Sequence, residues 1–234
     1  MSLKALIVGG CQQSYHRLEP VKPLFEEIFG RMGIDLTVSG IFHPDGGEAW
    51  TGDYSALTVE NLRQFDLLLL YTTGNNRHGA DVEAINRFVE NGKSLIGIHN
   101  AADTFTDDPD FIAMLGGRFK HHPEQLDIDV EILDRDHVVT NGLKDFRVHD
   151  ELYLFNDFHP EKVHLLAQTR SCDDNGPVPI CWMRLHGKGR VFYLSLGHNP
   201  SVIADQKWQE LFINGVKWSL NSEKALNETY STKS

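Results

Sequence analysis

The chain lacks the marks of several protein classes. Its 234 residues hold three cysteines, Cys11, Cys172 and Cys181. The number is odd and the spacing is not that of a metal site. Neither a disulfide framework nor a thiolate centre is expected, and a reducing cytoplasm is the expected home. Basic residues are in the minority, 22 against 33 acidic ones, for a formal net charge of -11. Nucleic acid and anionic membrane surfaces need a basic footprint, so both are excluded as main partners; a small anionic ligand is not. No apolar run approaches the ~20 residues of a membrane span. Met1-Ser-Leu-Lys4 leads straight into an apolar stretch, without the basic segment, long apolar core and cleavage site of a signal peptide. Repeats, low-complexity stretches and linkers are missing too. Residues 1–220 therefore read as a single domain and residues 221–234 as a polar tail.

Nucleotide signatures are also missing. Gly9-Gly-Cys-Gln-Gln13 does not have the Gly-x-Gly-x-x-Gly spacing, and no Gly-Lys-Ser/Thr occurs. No nucleotide cofactor is expected. Gly187-Lys-Gly-Arg190 precedes an apolar run rather than opening a helix, which makes it a hairpin turn.

What is present is an alternation of short apolar runs with amphipathic stretches. Leu3 to Val8, Ile34 to Val38, Phe65 to Tyr71 and Ser94 to Ile98 read as buried strands. Between them, a helical pattern opens at Pro20 with Val21, Leu24, Phe25, Ile28 and Met32 on one face. A second runs from Ala80 to Asn91. The second half holds strand-like runs at Leu126 to Leu133, Val163 to Gln168, Val178 to Trp182 and Arg190 to Leu194, with few helices between them. A closing helix spans Asp205 to Leu220. The pattern predicts an α/β fold with a mostly parallel central sheet and an antiparallel extension.

Ligands of such sheets sit beyond the carboxyl ends of the strands. Those ends carry Gln12 and His16 after the first run, and His99, Asn100 and Asp103 after the fourth. His198 follows the run from Arg190 to Leu194. Any one of these histidines alone reads as a hydrogen-bonded structural residue. Three at matching strand ends point to a shared crevice. Two more segments add polar groups. In His121-His122 only one ring can face the crevice, because neighbours in an extended segment diverge. Asp150-Glu-Leu-Tyr153 sets carboxylates against apolar residues, as acid–base or metal chemistry needs, although a capped surface turn would look similar. Phe158-His-Pro-Glu161 follows no convincing parallel strand and precedes two further strand-like runs, so no role in the site is expected of it.

Taken in order, several segments resemble the ThuA-like (trehalose-utilisation) family. They are Gly97-Ile-His-Asn-Ala-Ala-Asp103, Leu115-Gly-Gly-Arg-Phe119 through His122-Pro123, Asp150-Glu-Leu-Tyr153, and Gly187-Lys-Gly-Arg-Val-Phe-Tyr193 leading to Leu196-Gly-His198. The resemblance runs from Lys4 to Trp218. It implies a flavodoxin-like, class I glutamine amidotransferase-like fold and a link to disaccharide use. It also selects His122, not His121, as the inward ring. Amidotransferases need a thiolate at the elbow after the central strand, then a late histidine and a glutamate two residues on. This chain has His99, His198 and Pro200 at those places. Imidazole cannot reproduce the thioester route, so glutamine hydrolysis is not expected.

Two functions follow as expectations. In the first, the chain transforms a disaccharide or keto-sugar by acid–base or metal-assisted chemistry. His99, His198 and Glu151 then act either as proton-transfer groups or as ligands of a divalent ion such as zinc. Gln12, His16, Asn100, Asp103, His122, Tyr153 and Trp182 contact the sugar, with Trp182 as aromatic platform. In the second, the crevice binds a carbohydrate or a partner without chemistry, on an inactivated enzyme fold. The expected partner is a small sugar. Homo-oligomer formation is left open.

Overall fold

A computed structural model describes residues 2–11, 16–40, 54–75, 80–170 and 176–220. Eleven strands and six α-helices occur among these residues. The strands are β1 (Lys4–Cys11), β2 (Asp35–Ser39), β3 (Leu67–Thr73), β4 (Ser94–Ile98), β5 (Arg118–His121), β6 (Leu126–Ile132), β7 (Phe146–Asp150), β8 (Leu154–Asn156), β9 (His164–Thr169), β10 (Pro179–His186) and β11 (Gly189–Leu194). The helices are α1 (Lys22–Arg31), α2 (Val59–Leu62), α3 (Val82–Glu90), α4 (Pro109–Leu115), α5 (Pro200–Ile203) and α6 (Gln206–Ser219).

Nine strands form one sheet in the order β2-β1-β3-β4-β11-β10-β9-β6-β7. The five from β2 to β11 run parallel. From β11 onward every pairing is antiparallel. The fold is thus the expected α/β sheet with an antiparallel extension. β5 and β8 form a separate two-stranded ribbon.

Burial explains why the strands in the centre read so clearly. Every residue of β3 and β4 is buried, because helices cover both faces, so both strands are almost continuously apolar. On one face Phe25, Ile28 and Phe29 of α1 pack against Trp208, Leu211, Phe212 and Val216 of α6. On the other, Ile85 and Phe88 of α3 and Phe111 and Leu115 of α4 meet Leu68, Leu95 and Tyr193. Caps set the helix starts. Asp81, Asp108 and Asp205 each accept backbone N–H groups of the first turn of α3, α4 and α6. The helix expected from Pro20 begins two residues later, at Lys22, with Pro23 in its first turn.

β10 and β11 join through Gly187-Lys188, the hairpin read from the sequence. Gly187 has φ +57°, and a Cβ there would sit 2.6 Å from the Glu90 backbone, so no other residue fits without a shift. The sequence reading did not resolve α4, β5, β7 or β8. These elements are short, and β5 and β8 are half-exposed on both faces, so no clean alternation marks them. β7 does alternate: in Phe146-Arg-Val-His-Asp150, Val148 and Asp150 point inward. No described helix is long and apolar enough to cross a membrane.

Candidate functional site

Three strands of the parallel half end at one place. β4 stops at Ile98, and His99 turns the chain sharply at φ +44° into a 3₁₀ turn, His99–Asp103. A left-handed backbone on a histidine is uncommon and costs about 1–3 kcal/mol, so the surrounding packing must hold it. His16, a few residues beyond β1, is also left-handed, at φ +64°. His198 follows β11 across Ser195, Leu196 and Gly197. Glu151 arrives from the other side, directly after β7.

The geometry is tight. Glu151 Oε2 lies 3.1 Å from His198 Nδ1, 3.3 Å from His99 Nε2, 3.6 Å from His122 Nε2 and 3.8 Å from His16 Nε2. His99 Nε2 and His16 Nε2 are 3.2 Å apart. The four atoms from His16, His99, Glu151 and His198 all fall within 4.8 Å of one another.

Neighbouring groups aim these atoms. His99 Nδ1–H donates to the Ser195 carbonyl at 2.7 Å. Its Nε2 therefore carries a lone pair, which faces Glu151. His16 Nδ1 meets Thr73 Oγ1 at 3.2 Å, and that hydroxyl also accepts from Asn100 Nδ2 at 3.0 Å. Asp150 Oδ2 accepts from Gly197 N at 2.6 Å and from His198 N at 3.4 Å, which fixes the loop that carries His198. Gly197, at φ +135°, permits that loop to bend there. The contacts at Glu151 are close but not aligned as hydrogen bonds. Glu151 Oε2 and His198 Nδ1 are buried without a hydrogen-bond partner among the described residues.

Charge follows from burial and contact. Full burial pulls the His99 imidazole down to about 3, and the Glu151 contact offsets only part of this. Burial also lowers His16. Burial opposes ionisation of Glu151, but the imidazoles of His16, His198 and His99 outweigh it and hold its carboxyl well below the usual range. His198 is raised, since Glu151 outweighs the effect of burial there. A carboxylate thus faces two neutral rings. One proton can bridge His16 and His99; none is placed to bridge Glu151 and His99.

A divalent cation fits this donor set. Metal–nitrogen and metal–oxygen bonds of about 2.1 Å give a tetrahedron with edges of about 3.4 Å. The separations of 3.1, 3.3 and 3.8 Å to Glu151 Oε2 and of 3.2 Å between the two Nε2 atoms scatter around that value, and the remaining pairs lie within 4.8 Å. Three imidazoles and one carboxylate suit zinc or another borderline ion. The cation would also satisfy the two orphaned buried atoms.

The other residues singled out in the sequence divide clearly. His122 is at the rim, half-exposed, with Nδ1 bonded to the Pro123 carbonyl at 2.7 Å, so Nε2 faces Glu151 as a lone pair. Tyr153 is buried, with its hydroxyl 3.3 Å from His16 Nε2. Asn100 is buried and its Oδ1 has no partner among the described residues. Asp103 is half-buried, and burial raises its carboxyl to about 6. Gln12 lies outside the described residues.

Two expectations need correction. His16 was assigned to the sugar, yet its ring is buried and its Nε2 belongs to the cluster itself, 3.2 Å from His99 Nε2 and 3.8 Å from Glu151 Oε2. Trp182 was assigned as platform, yet it is fully buried. Its Nε1–H donates to the Leu115 carbonyl at 2.8 Å, and its ring packs on Tyr193, Phe155 and Phe158. β10 is a strand of the sheet interior, and its register turns Trp182 into the core. Phe119 is an aromatic ring beside the cluster that keeps some exposure, 4.3 Å from Tyr153 and 5.8 Å from His122 between ring centroids. The sequence reading passed over it because it sits in β5, which was not read as a strand. In Phe158-His-Pro-Glu161, Phe158 packs on Trp182, and the exposed His159 pairs with Glu161.

Comparison with solved structures places this architecture. A ThuA-like protein from Bacteroides uniformis superposes with a TM-score of 0.75 at 24% identity, covering 95% of this chain and 93% of that one. A ThuA-like protein from Parabacteroides merdae gives 0.74 at 18% identity, covering 94% and 90%. A β-galactosidase from Rahnella sp. R3 gives 0.58 at 14% identity, with 94% of this chain matching 31% of that one. These likenesses show a shared fold. Comparison with curated proteins gave no match. Residues 4–219 match the family model described as trehalose utilisation, and the chain therefore belongs to the ThuA family.

Proposed function

We propose that the chain is a metal-dependent enzyme of carbohydrate utilisation, with a divalent ion of the zinc class held by His16, His99, Glu151 and His198. The supporting observation is the convergence of four ligand atoms within 4.8 Å, two of them buried without hydrogen bonds. Bound there, the ion would polarise an oxygen of a sugar or keto-sugar.

The chain's own residues supply the rest. Ser195 fixes the His99 tautomer, and Asp150 fixes the His198 loop. His122 presents an Nε2 lone pair from the rim, where it can take a proton from a sugar hydroxyl or return one to it. Phe119, partly exposed beside the buried Tyr153, offers an apolar face against which the carbon face of a sugar ring packs. The low basicity of His99 suits a ligand and does not suit a general base near neutral pH.

A second reading is favoured by the 3.2 Å contact between His16 and His99, which can hold a proton with no metal present. Elemental analysis of the purified chain separates the two. The metal reading expects about one zinc-class ion per chain, lost in Glu151→Gln and His198→Ala. It also expects turnover of disaccharides or their 3-keto derivatives to stop on chelation and return with metal. Full turnover by a metal-free chain would favour the proton-sharing pair.

A further inference from the structure

A second feature lies outside the cluster. Between α4, the start of β5 and the outer end of β10 there is a cavity of about 560 Å³. That volume is in the range of small-molecule sites. None of its lining residues belongs to the metal cluster. Its apolar wall comes from Pro109 and Ile112, its cationic groups from Arg118, Lys162 and Arg184, and its two carboxylates from Asp107 and Asp157.

The cations are the informative part. In a chain of net charge -11, surface cations readily find carboxylates, and Arg118 does: its Nε is 2.8 Å from Asp157. Arg184 and Lys162 have no carboxylate within ion-pair distance among the described residues. Arg184 Nη1 donates to the Ala113 carbonyl, while its Nε is buried with no acceptor. Burial also lowers the Arg184 pKa, since the guanidinium is partly taken out of water without compensation. Its remaining group, Nη2, makes no hydrogen bond among the described residues and is the donor left for a ligand. A carboxylate or phosphate presents paired oxygens to a guanidinium, with the lysine as a point charge beside it.

We propose that this cavity is a second ligand site, and that it takes a small organic anion. Its phosphate or carboxylate oxygens are received by Arg184 and Lys162, and its carbon skeleton rests on Pro109 and Ile112. Arg118 opens β5, and His122 follows the last residue of that strand. Four residues of strand span about 13 Å. The anion site and the rim of the metal cluster are thus joined by one short rigid element. The inference does not depend on the metal.

The test uses the full chain in phosphate-free buffer. Glucose 6-phosphate, glucuronate and neutral glucose are titrated by calorimetry and scored by thermal shift. At least one of the two anions should bind and stabilise, while glucose should not; which anion binds identifies the headgroup. Arg184→Gln should weaken anion binding tenfold or more. Lys162→Gln, at an exposed position, should weaken it severalfold and serves if the arginine variant misfolds. His198→Ala, which disables the metal cluster, should leave anion binding unchanged. Equal stabilisation by glucose would overturn the proposal. So would binding of neither anion, or anion binding that survives Arg184→Gln and Lys162→Gln but disappears in His198→Ala.

Discussion

The parallel and antiparallel halves of the sheet contribute opposite kinds of residue to the cluster. The parallel half, β2-β1-β3-β4-β11, supplies the three imidazoles, each after the carboxyl end of a strand. The antiparallel extension and the ribbon of β5 and β8 bring Glu151, Tyr153, Phe119 and His122. One half presents three rings, two of them, His16 and His99, kept neutral by burial. The other adds the charge, the rim and the aromatic surface. A parallel sheet aligns its strand ends automatically, so three histidines far apart in sequence converge without special loops. The carboxylate has no such guarantee. It depends on β7, an edge strand, whose end is drawn to the β11 loop by the bonds from Gly197 and His198 to Asp150.

The largest expected effect comes from cutting the tie between the halves at the cluster. Glu151→Gln keeps shape and removes the charge, so metal content should fall below one-tenth and turnover by 100-fold or more. His198→Ala should do the same from the parallel side. If Glu151→Gln binds metal normally, the extension does not complete the centre, and the three histidines suffice.

Next comes the tie outside the cluster. Asp150→Ala leaves two backbone N–H groups without their acceptor. It should lower stability by about 1–3 kcal/mol, and metal affinity by about 10–100-fold, the usual range for groups that orient ligands. Chemical denaturation and a metal-competition assay measure the two separately. Weakened stability with unchanged metal affinity would show that Asp150 holds the fold and not the His198 loop.

The same division decides how much was legible in the sequence. Leu67 to Leu70 and Ser94-Leu-Ile-Gly-Ile98 are apolar because both faces are covered, and such runs stand out without any knowledge of partners. His99 could therefore be placed at a strand end from sequence. Glu151 was found from the carboxylates of Asp150-Glu-Leu-Tyr153 set against apolar residues, and then from the family-like motif, not from β7. Phe146-Arg-Val-His-Asp150 carries a carboxylate at an inward position of an alternating strand, a usable signal. Trp182 was misplaced for the converse reason. A large aromatic in a strand does not declare which face it takes until the strand's neighbours are known, and β10 lies inside the sheet. Phe119, in a half-exposed ribbon, gave no periodicity to read.

A pH experiment probes the boundary of the two halves at Asp103, which closes the turn begun by His99. Burial raises its carboxyl from the usual 3.8 to about 6. Between those values the folded chain holds a proton that the unfolded chain has released. The stability from this group is complete below pH 3.8 and is lost as pH rises through 6. Asn imitates the protonated form at all pH values. Asp103→Asn should thus gain on the natural chain from pH 4 to pH 7, by about 1–2 kcal/mol once partial solvent contact is allowed for. A constant difference across that range, by denaturation at matched ionic strength, would show that the carboxyl is not held protonated by burial.

The smallest effect separates the two aromatic residues that the fold exchanged in role. Trp182 lies in the sheet interior and Phe119 in the ribbon. Trp182→Phe removes the N–H that meets the Leu115 carbonyl and leaves that acceptor buried, so stability should drop by about 1–3 kcal/mol. Sugar affinity should not change, since no face of Trp182 is exposed. Phe119→Ala removes a partly exposed ring beside Tyr153 and His122. It should weaken sugar binding about threefold to tenfold, the scale of one aromatic contact of about 0.5–1.5 kcal/mol, with a smaller loss of stability because the ring is not fully buried. Phe119→Tyr should restore affinity, as it keeps the apolar face. Titration of the metal-loaded chain with trehalose and its 3-keto derivative gives the affinities, and thermal unfolding gives the stabilities. If Trp182→Phe is the variant that loses sugar affinity, the sugar lies against the sheet and not against the ribbon.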